Sequence, residues 1–112
     1  MLDQAIKIAS QLQNRKQRIC SIITDRKGRI LGIGTNSYTK THPRQAFYAT
    51  KCNDFHKIFL HSEIDALVNC KQKPETIYIA RVNHKGEPLR VSPCPICQLA
   101  INDAKIKNVI TT

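Results

Sequence analysis

The feature that most constrains this chain is a set of side chains that no local structure can bring together. His61-Ser62-Glu63 is one half and Pro93-Cys94-Pro95-Ile96-Cys97 is the other. Between Glu63 and Pro93 lie 29 residues, room for a helix, a strand and a return loop. One imidazole and two thiolates are a donor set for zinc, and a site with three protein ligands keeps its fourth position for water. Cys94 and Cys97 are i and i+3, so a helix starting there carries both sulfurs on one face. If His61 opens another helix, the unpaired N–H groups and positive dipole ends of both helices aim at the ion. They favour the thiolate form that binds metal. Two thiolates and a neutral imidazole then balance Zn2+. The fold must therefore bring two helix starts to one point.

The length of 112 residues suits one domain, residues 1–112, with a modest core. The five cysteines are an odd count, and Met1-Leu2-Asp3-Gln4 lacks the basic-then-apolar plan of a leader. A reduced chain in the cytoplasm, with some thiols on metal, is expected over a disulfide scaffold. No run of about 18 apolar residues predicts a membrane span. The 18 basic residues against 8 acidic ones leave a net charge of +10. Such an excess suits phosphorylated nucleotides, single-stranded nucleic acid or an acidic protein, and also suits a plain solvated surface.

Taken in order, residues 2 to about 14 repeat apolar positions at three and four (Leu2, Ala5, Ile6, Ala9, Leu12) and predict an amphipathic helix. Residues 19–24 and 29–34 read as the two strands of a hairpin around Asp25-Arg26-Lys27-Gly28. Gly32 and Gly34 inside the second strand signal a bulge or a close backbone approach. Residues 37–60 are an irregular insert in which a short helix could begin at Pro43. The insert mixes Lys40, Arg44, Lys51 and Lys57 with Phe47, Tyr48 and Phe55. That pattern suits a nucleic-acid or nucleotide surface, or aromatics packed down beneath exposed charges. A helix from Ser62 to near Cys70, a central strand over 76–82, a short extended run over 89–91, a helix over 96–104 and a final strand over 107–111 complete the chain. The β-α-β steps imply parallel, right-handed crossovers.

Glu63 is too close to His61 to be an obvious fourth ligand, but it is well placed to serve as a base. Zinc lowers the pKa of a bound water toward about 7, and a carboxylate beside it can take the proton and relay it to a ring nitrogen and then to a leaving amine. H-x-E followed by P-C-x-x-C is the signature of zinc deaminases that attack C4 of cytosine or C6 of adenine. The rival is a structural four-ligand zinc site, completed by Cys52, His56, Cys70 or His84. His42, Cys52 and His56 could also build a second zinc site in the insert, or remain a buried thiol and surface histidines. Cys20, in an apolar strand, reads as core.

Two stretches carry a resemblance. His61-Ser62-Glu63-Ile64-Asp65-Ala66-Leu67 resembles the H-A-E-x-x-A-[LI] motif of the cytidine/deoxycytidylate deaminase superfamily, with Ser62 in place of the common alanine. Pro93-Cys94-Pro95-Ile96-Cys97 with Ile101, followed by Ile106-Lys107-Asn108-Val109, resembles its deoxycytidylate branch. Ser37-Tyr38-Thr39-Lys40-Thr41-His42-Pro43 is similar to a run in small bacteriophage members. The resemblance covers the chain from about Ile19 onward. It implies an α/β fold of three layers, α/β/α, with a mixed sheet of four to five strands. It also implies a catalytic zinc on His61, Cys94 and Cys97, with Glu63 as proton shuttle. Asn36 matches an asparagine that contacts the substrate's sugar or base, and Ser62 and Pro93 are further candidates to line the substrate site. Lys105 stands where many relatives carry glycine. The chain stops after the final strand, where relatives often add a helix and a strand, so either another subunit of a homo-oligomer is expected to supply part of the pocket wall or the pocket is more open.

The expected activity is zinc-dependent deamination of cytosine in a nucleotide, with dCMP to dUMP leading, in the cytoplasm (the host's, for a phage chain). The alternatives are a deaminase acting on cytosine or adenine in single-stranded DNA or RNA, and a non-catalytic zinc-stabilised module that binds nucleic acid or protein.

Overall fold

In the computed structural model, which describes residues 1–13, 15–54 and 56–112, four helices surround a five-stranded mixed sheet. The order is α1 (Leu2–Ser10), β1 (Arg18–Thr24), β2 (Ile30–Thr35), α2 (Pro43–Lys51), α3 (Ser62–Asn69), β3 (Thr76–Val82), β4 (Pro88–Leu89), α4 (Pro95–Asp103) and β5 (Asn108–Thr111). β1 is antiparallel to both β2 and β3, which leaves β2 and β3 pointing the same way. On the far side of β3, Thr76–Ile79 pair in parallel with β5, and Arg81 and Val82 pair with β4. The two β-α-β steps therefore run between parallel strands, as the sequence predicts.

Period-two alternation divides the core. Cys20 and Ile22 of β1 join Ala80 and Val82 of β3 under α1. Ile23, Ile77 and Ile79 face the other way, against Ile64 and Leu67 of α3 and Ile96, Ala100 and Ile101 of α4. Each fully buried isoleucine contributes about 2 kcal/mol. Cys20 is a core thiol, and burial pushes it up to about 12. Three layers result: α1, the sheet, and α3 with α4, against which α2 packs from outside.

Glycines set how closely α3 lies on the sheet. A Cβ on Gly34 would collide with the Ala66 nitrogen and the Ser62 carbonyl, and one on Gly32 would stand 2.5 Å from the Ala66 carbonyl. Close approach, one of the two readings of these glycines, is the observed one. The Asp65 carboxylate then accepts the Thr35 N–H at 3.0 Å and ties the helix to the strand end.

Two local expectations change. α1 ends at Ser10, short of residue 14, because Gln11 and Leu12 donate to Ile8 and Ala9 in a tightened last turn; Asn14 lies outside the described residues. The insert is more regular than predicted: His42 caps α2 through Nδ1, which accepts the Arg44 N–H at 3.1 Å, and Pro43 takes the first helical position. Its aromatics divide, with Tyr48 buried and Phe47 exposed beneath Lys51 Nζ; Phe55 lies outside the described residues. Lys105 adopts φ +59°, the left-handed position that glycine takes most cheaply. Bonds from Lys105 N to Asn102 O and from Ile106 N to Ile101 O complete a Schellman end.

Among the described residues, no helix is long and apolar enough to cross a membrane.

Candidate active site

The two half-motifs meet. His61 is the N-cap residue of α3 and Cys94 that of α4, both with extended backbone, and Pro95 opens α4. Their carbonyls accept the first helical bonds, from Asp65 N at 2.9 Å and Gln98 N at 2.8 Å. Cys97 lies one turn into α4 and is buried. His61 Nδ1 is 3.2 Å from Cys97 Sγ and 3.6 Å from Cys94 Sγ, and the three ligand atoms lie within 4.8 Å of one another. Tetrahedral zinc, with Zn–N and Zn–S bonds of about 2.0 and 2.3 Å, requires N···S separations of about 3.6 Å. The donor set therefore fits zinc.

The electrostatics agree. Cys94 is pushed down to about 3, first by a hydrogen bond from the Cys97 thiol and also by His61. Donation to Cys94, reinforced by burial, pushes Cys97 up. The hydrogen bond to Cys94 raises His61 against the opposing effect of burial. The arrangement favours the thiolate form at Cys94, and metal binding to such a set is coupled to release of the protons that remain on its donor atoms.

The other ligand candidates stay apart. Among the described residues, His61, Cys94 and Cys97 form the one metal-competent cluster. Cys52, His56, Cys70 and His84 do not join it as a fourth ligand. His42, Cys52 and His56 form no second site, because the His42 Nδ1 is occupied as a helix cap and His56 faces the cavity described next. The carboxylate of Glu63 is also outside the cluster. Three protein ligands and a separate buried carboxylate are the arrangement of a catalytic site.

A cavity of about 720 Å³ opens over this cluster. His61, Ser62, Glu63 and Cys94 line its floor, and Arg81, Arg90, Lys57, Tyr38 and Phe59 are on its walls. It lies at the carboxyl ends of the parallel strands, where α/β sheets bind ligands. Asn36 lines it too. Its Oδ1 accepts the Ile19 N–H at 3.0 Å and its Nδ2 donates to the Gln17 carbonyl at 2.9 Å, leaving one donor and one acceptor position for a ligand. Ser62 lines it as well, but its hydroxyl is turned toward Glu63 and Ser21. Pro93 is half-buried and lies off the wall between Ser92 and Cys94.

Three supporting residues escaped the sequence reading. Gln45, fully buried, accepts the His61 N–H at 3.1 Å and donates to the Lys57 carbonyl at 3.0 Å. A polar residue at helical spacing with buried Tyr48 and Ala49 was the available signal. Ser21 stands at an inward position of an apolar strand. Arg81 continues the inward series Ile77, Ile79.

The sequence model of the cytidine and deoxycytidylate deaminase zinc-binding region matches residues 1–112. The chain belongs to that family. It is a zinc-dependent deaminase, and the cluster of His61, Cys94 and Cys97 is consistent with a zinc site. No curated protein matches it in sequence. Among solved structures, the dCMP deaminase of cyanophage S-TIM5 in apo form is 22% identical, with a TM-score of 0.61 over 98% of this chain and 80% of that one. The same phage enzyme in complex with dCMP and dUMP is 20% identical, with a TM-score of 0.63 over 98% and 76%. A glutamate-to-glutamine variant of the Mycobacterium tuberculosis cytidine deaminase is 13% identical, with a TM-score of 0.57 over 100% and 81%. At these identities the likeness is one of fold, and it bears out the mixed-sheet α/β architecture predicted from sequence.

Proposed function

We propose that the protein hydrolyses the amino group of cytosine in a nucleotide, converting dCMP to dUMP. The observation that carries this reading is the buried Glu63 carboxylate beside a three-ligand cluster, at the floor of a cavity whose wall holds two arginines. His61, Cys94 and Cys97 would hold the zinc, which when bound supplies Lewis acidity and lowers the pKa of a water toward about 7. Glu63 accepts one proton from the attacking water and delivers it to the ring nitrogen, where it stays, then carries the second, from the new C4 hydroxyl, to the departing amino group. A C4–O bond forms, the C4–N bond breaks, and ammonia leaves. The remaining donor and acceptor of Asn36 would hold the sugar or base. Arg81 Nε is buried with no hydrogen-bond partner among the described residues, which suits a site for the 5′-phosphate. The cyanophage enzyme crystallised with dCMP and dUMP supports the choice of nucleotide.

A second reading, in which cytosine or adenine lies in a single strand, is favoured by Tyr38 and Phe59. Both are on the cavity wall and more than 40% exposed, as stacking platforms for neighbouring bases would be. A homo-oligomer would use the open edge of β5, where Val109 and Ile110 are exposed.

The test compares parent and Glu63→Gln protein on dCMP, deoxycytidine and short single-stranded oligonucleotides. Zinc content stays the same, and ammonia release from dCMP falls by at least roughly 100-fold. Near-parent turnover by the variant would discard the mechanism. Turnover of oligonucleotides alone would transfer the assignment to the second reading.

A further inference from the structure

The deaminase motif of this chain has a hydroxyl beside its carboxylate, and that hydroxyl is not alone. Ser62 Oγ donates to Glu63 Oε1 at 2.8 Å. Ser21 Oγ lies 2.8 Å from Ser62 Oγ. A hydroxyl has one proton to give. Because that of Ser62 goes to Glu63, the proton between the serines comes from Ser21. The donor chain therefore runs one way, from Ser21 through Ser62 to Glu63. All three residues are buried, Ser21 and Ser62 to within 1%.

Each partner is held independently. Ser21 belongs to β1, which is paired on both sides, opposite Gly34 of β2 and Ile79 of β3. Ser62 opens α3, whose backbone touches Gly34. The glycine that lets the helix approach β2 also brings the two hydroxyls within reach.

We propose that Ser21 and Ser62 are positioning residues that fix the rotamer of Glu63. Ser62, held by Ser21, occupies Oε1 and leaves Oε2 to face the reacting atoms. The inference rests on the deaminase reading for its kinetic consequence, but not for its structural one. A carboxylate locked by a pre-formed donor loses little freedom on the way to the transition state, so the pair acts on kcat more than on substrate affinity.

The energetics of buried hydroxyls separate this role from simple packing. Ser62→Ala orphans the Ser21 hydroxyl, and an unsatisfied buried donor destabilises a protein. Removing both hydroxyls leaves no orphan between them, so Ser21→Ala/Ser62→Ala regains thermal stability relative to Ser62→Ala. Regained stability does not restore the lock on Glu63.

The experiment measures melting temperature, kcat and KM on dCMP for the zinc-loaded parent, both single variants and the double variant, with crystal structures of the parent and Ser62→Ala. Ser62→Ala is expected to lower kcat by roughly 10-fold with KM within about twofold. Ser21→Ala should have a smaller effect, and none in the Ser62→Ala background. The double variant should melt near the parent temperature yet keep the low kcat. Glu63 should occupy one rotamer in the parent and more than one in Ser62→Ala. Recovery of kcat together with melting temperature, or additive effects of the two substitutions, would overturn the proposal. An unchanged Glu63 rotamer in Ser62→Ala would overturn it even if dCMP is not turned over, whereas an inactive parent with the expected rotamer change would count against the dCMP reading alone.

Discussion

The His61 Nδ1 stands 3.2 Å from the Cys97 Sγ, although 36 residues separate them in the chain. The contact joins the starts of two helices that are otherwise held by the sheet and the shared core. Zinc bound there links α3 to α4 and adds its binding free energy to folding. Chelator treatment is expected to abolish ammonia release and, relative to protein held at free zinc near 100 times the dissociation constant, to cost about 2.7 kcal/mol, or roughly 10 °C in melting temperature. Cys97→Ala should lose zinc and lack that metal-dependent shift. Metal analysis with calorimetry checks both; full turnover by the metal-free protein would contradict the assignment.

Gln45 makes a prediction that its distance in sequence from the motif would not suggest. Its amide bridges His61 N and the Lys57 carbonyl, fixing both a ligand and the cavity wall. Gln45→Leu leaves two backbone groups unpaired, at about 1–3 kcal/mol each. Supporting partners of metal ligands typically change metal affinity by roughly 10- to 100-fold. Zinc competition titration of Gln45→Leu should show weakening of that order. Gln45→Glu, which keeps the acceptor for His61 N, should show less. Equal affinities in all three proteins would remove Gln45 from the site.

What was legible in the sequence was local chemistry. Pro95, the Cys94–Cys97 spacing and the apolar face of Ile64 and Leu67 each state their helix within a few residues. The inward alternation of Ile77 and Ile79 marks a buried strand just as locally. The missed features depend on partners far along the chain. Ser21 gains a role only because Gly34 admits α3, and Gln45 only because residues 57–61 fold back over α2. The regularity of the insert was hidden for the same reason: Ser37 N donates to the Leu60 carbonyl, and Leu60 N to that of Lys40, bonds that no local pattern announces.

The β1–β2 turn gives a pH prediction. Asp25 accepts the Arg29 and Lys27 N–H groups, both at 2.9 Å, and the Arg29 side chain at 2.7 Å. The backbone bond from Arg29 is the largest cause holding its carboxyl below the usual value. A carboxylate with a lowered folded-state pKa stabilises the fold above its unfolded value of about 3.9. That contribution is lost as pH falls from there through the lowered folded value. Asp25→Asn should therefore be less stable than the parent at pH 7, and the difference should shrink as pH drops below about 4. Denaturant melts at several pH values measure it. A difference that persists unchanged at pH 2 would show that the carboxylate charge is not its source.

Substitution of Arg81 tests whether the cavity distinguishes nucleotide from nucleoside. Its strand position points it into the cavity on the same face as Ile79, and its Nε is buried with no partner among the described residues. A guanidinium in that state is stabilised by an anion, and charge-assisted bonds are worth about 1.5–3 kcal/mol. Arg81→Met keeps much of the side-chain volume and removes the charge. It should raise KM for dCMP by roughly 10- to 100-fold while leaving KM for deoxycytidine within about twofold. Arg81→Lys should recover part of the loss, because an ammonium keeps the charge but not the forked geometry. Steady-state kinetics on the two substrates decide the matter. Equal losses on nucleoside and nucleotide would mean that Arg81 supports the cavity wall, and that the phosphate, if bound, is held by Arg90 or Lys57.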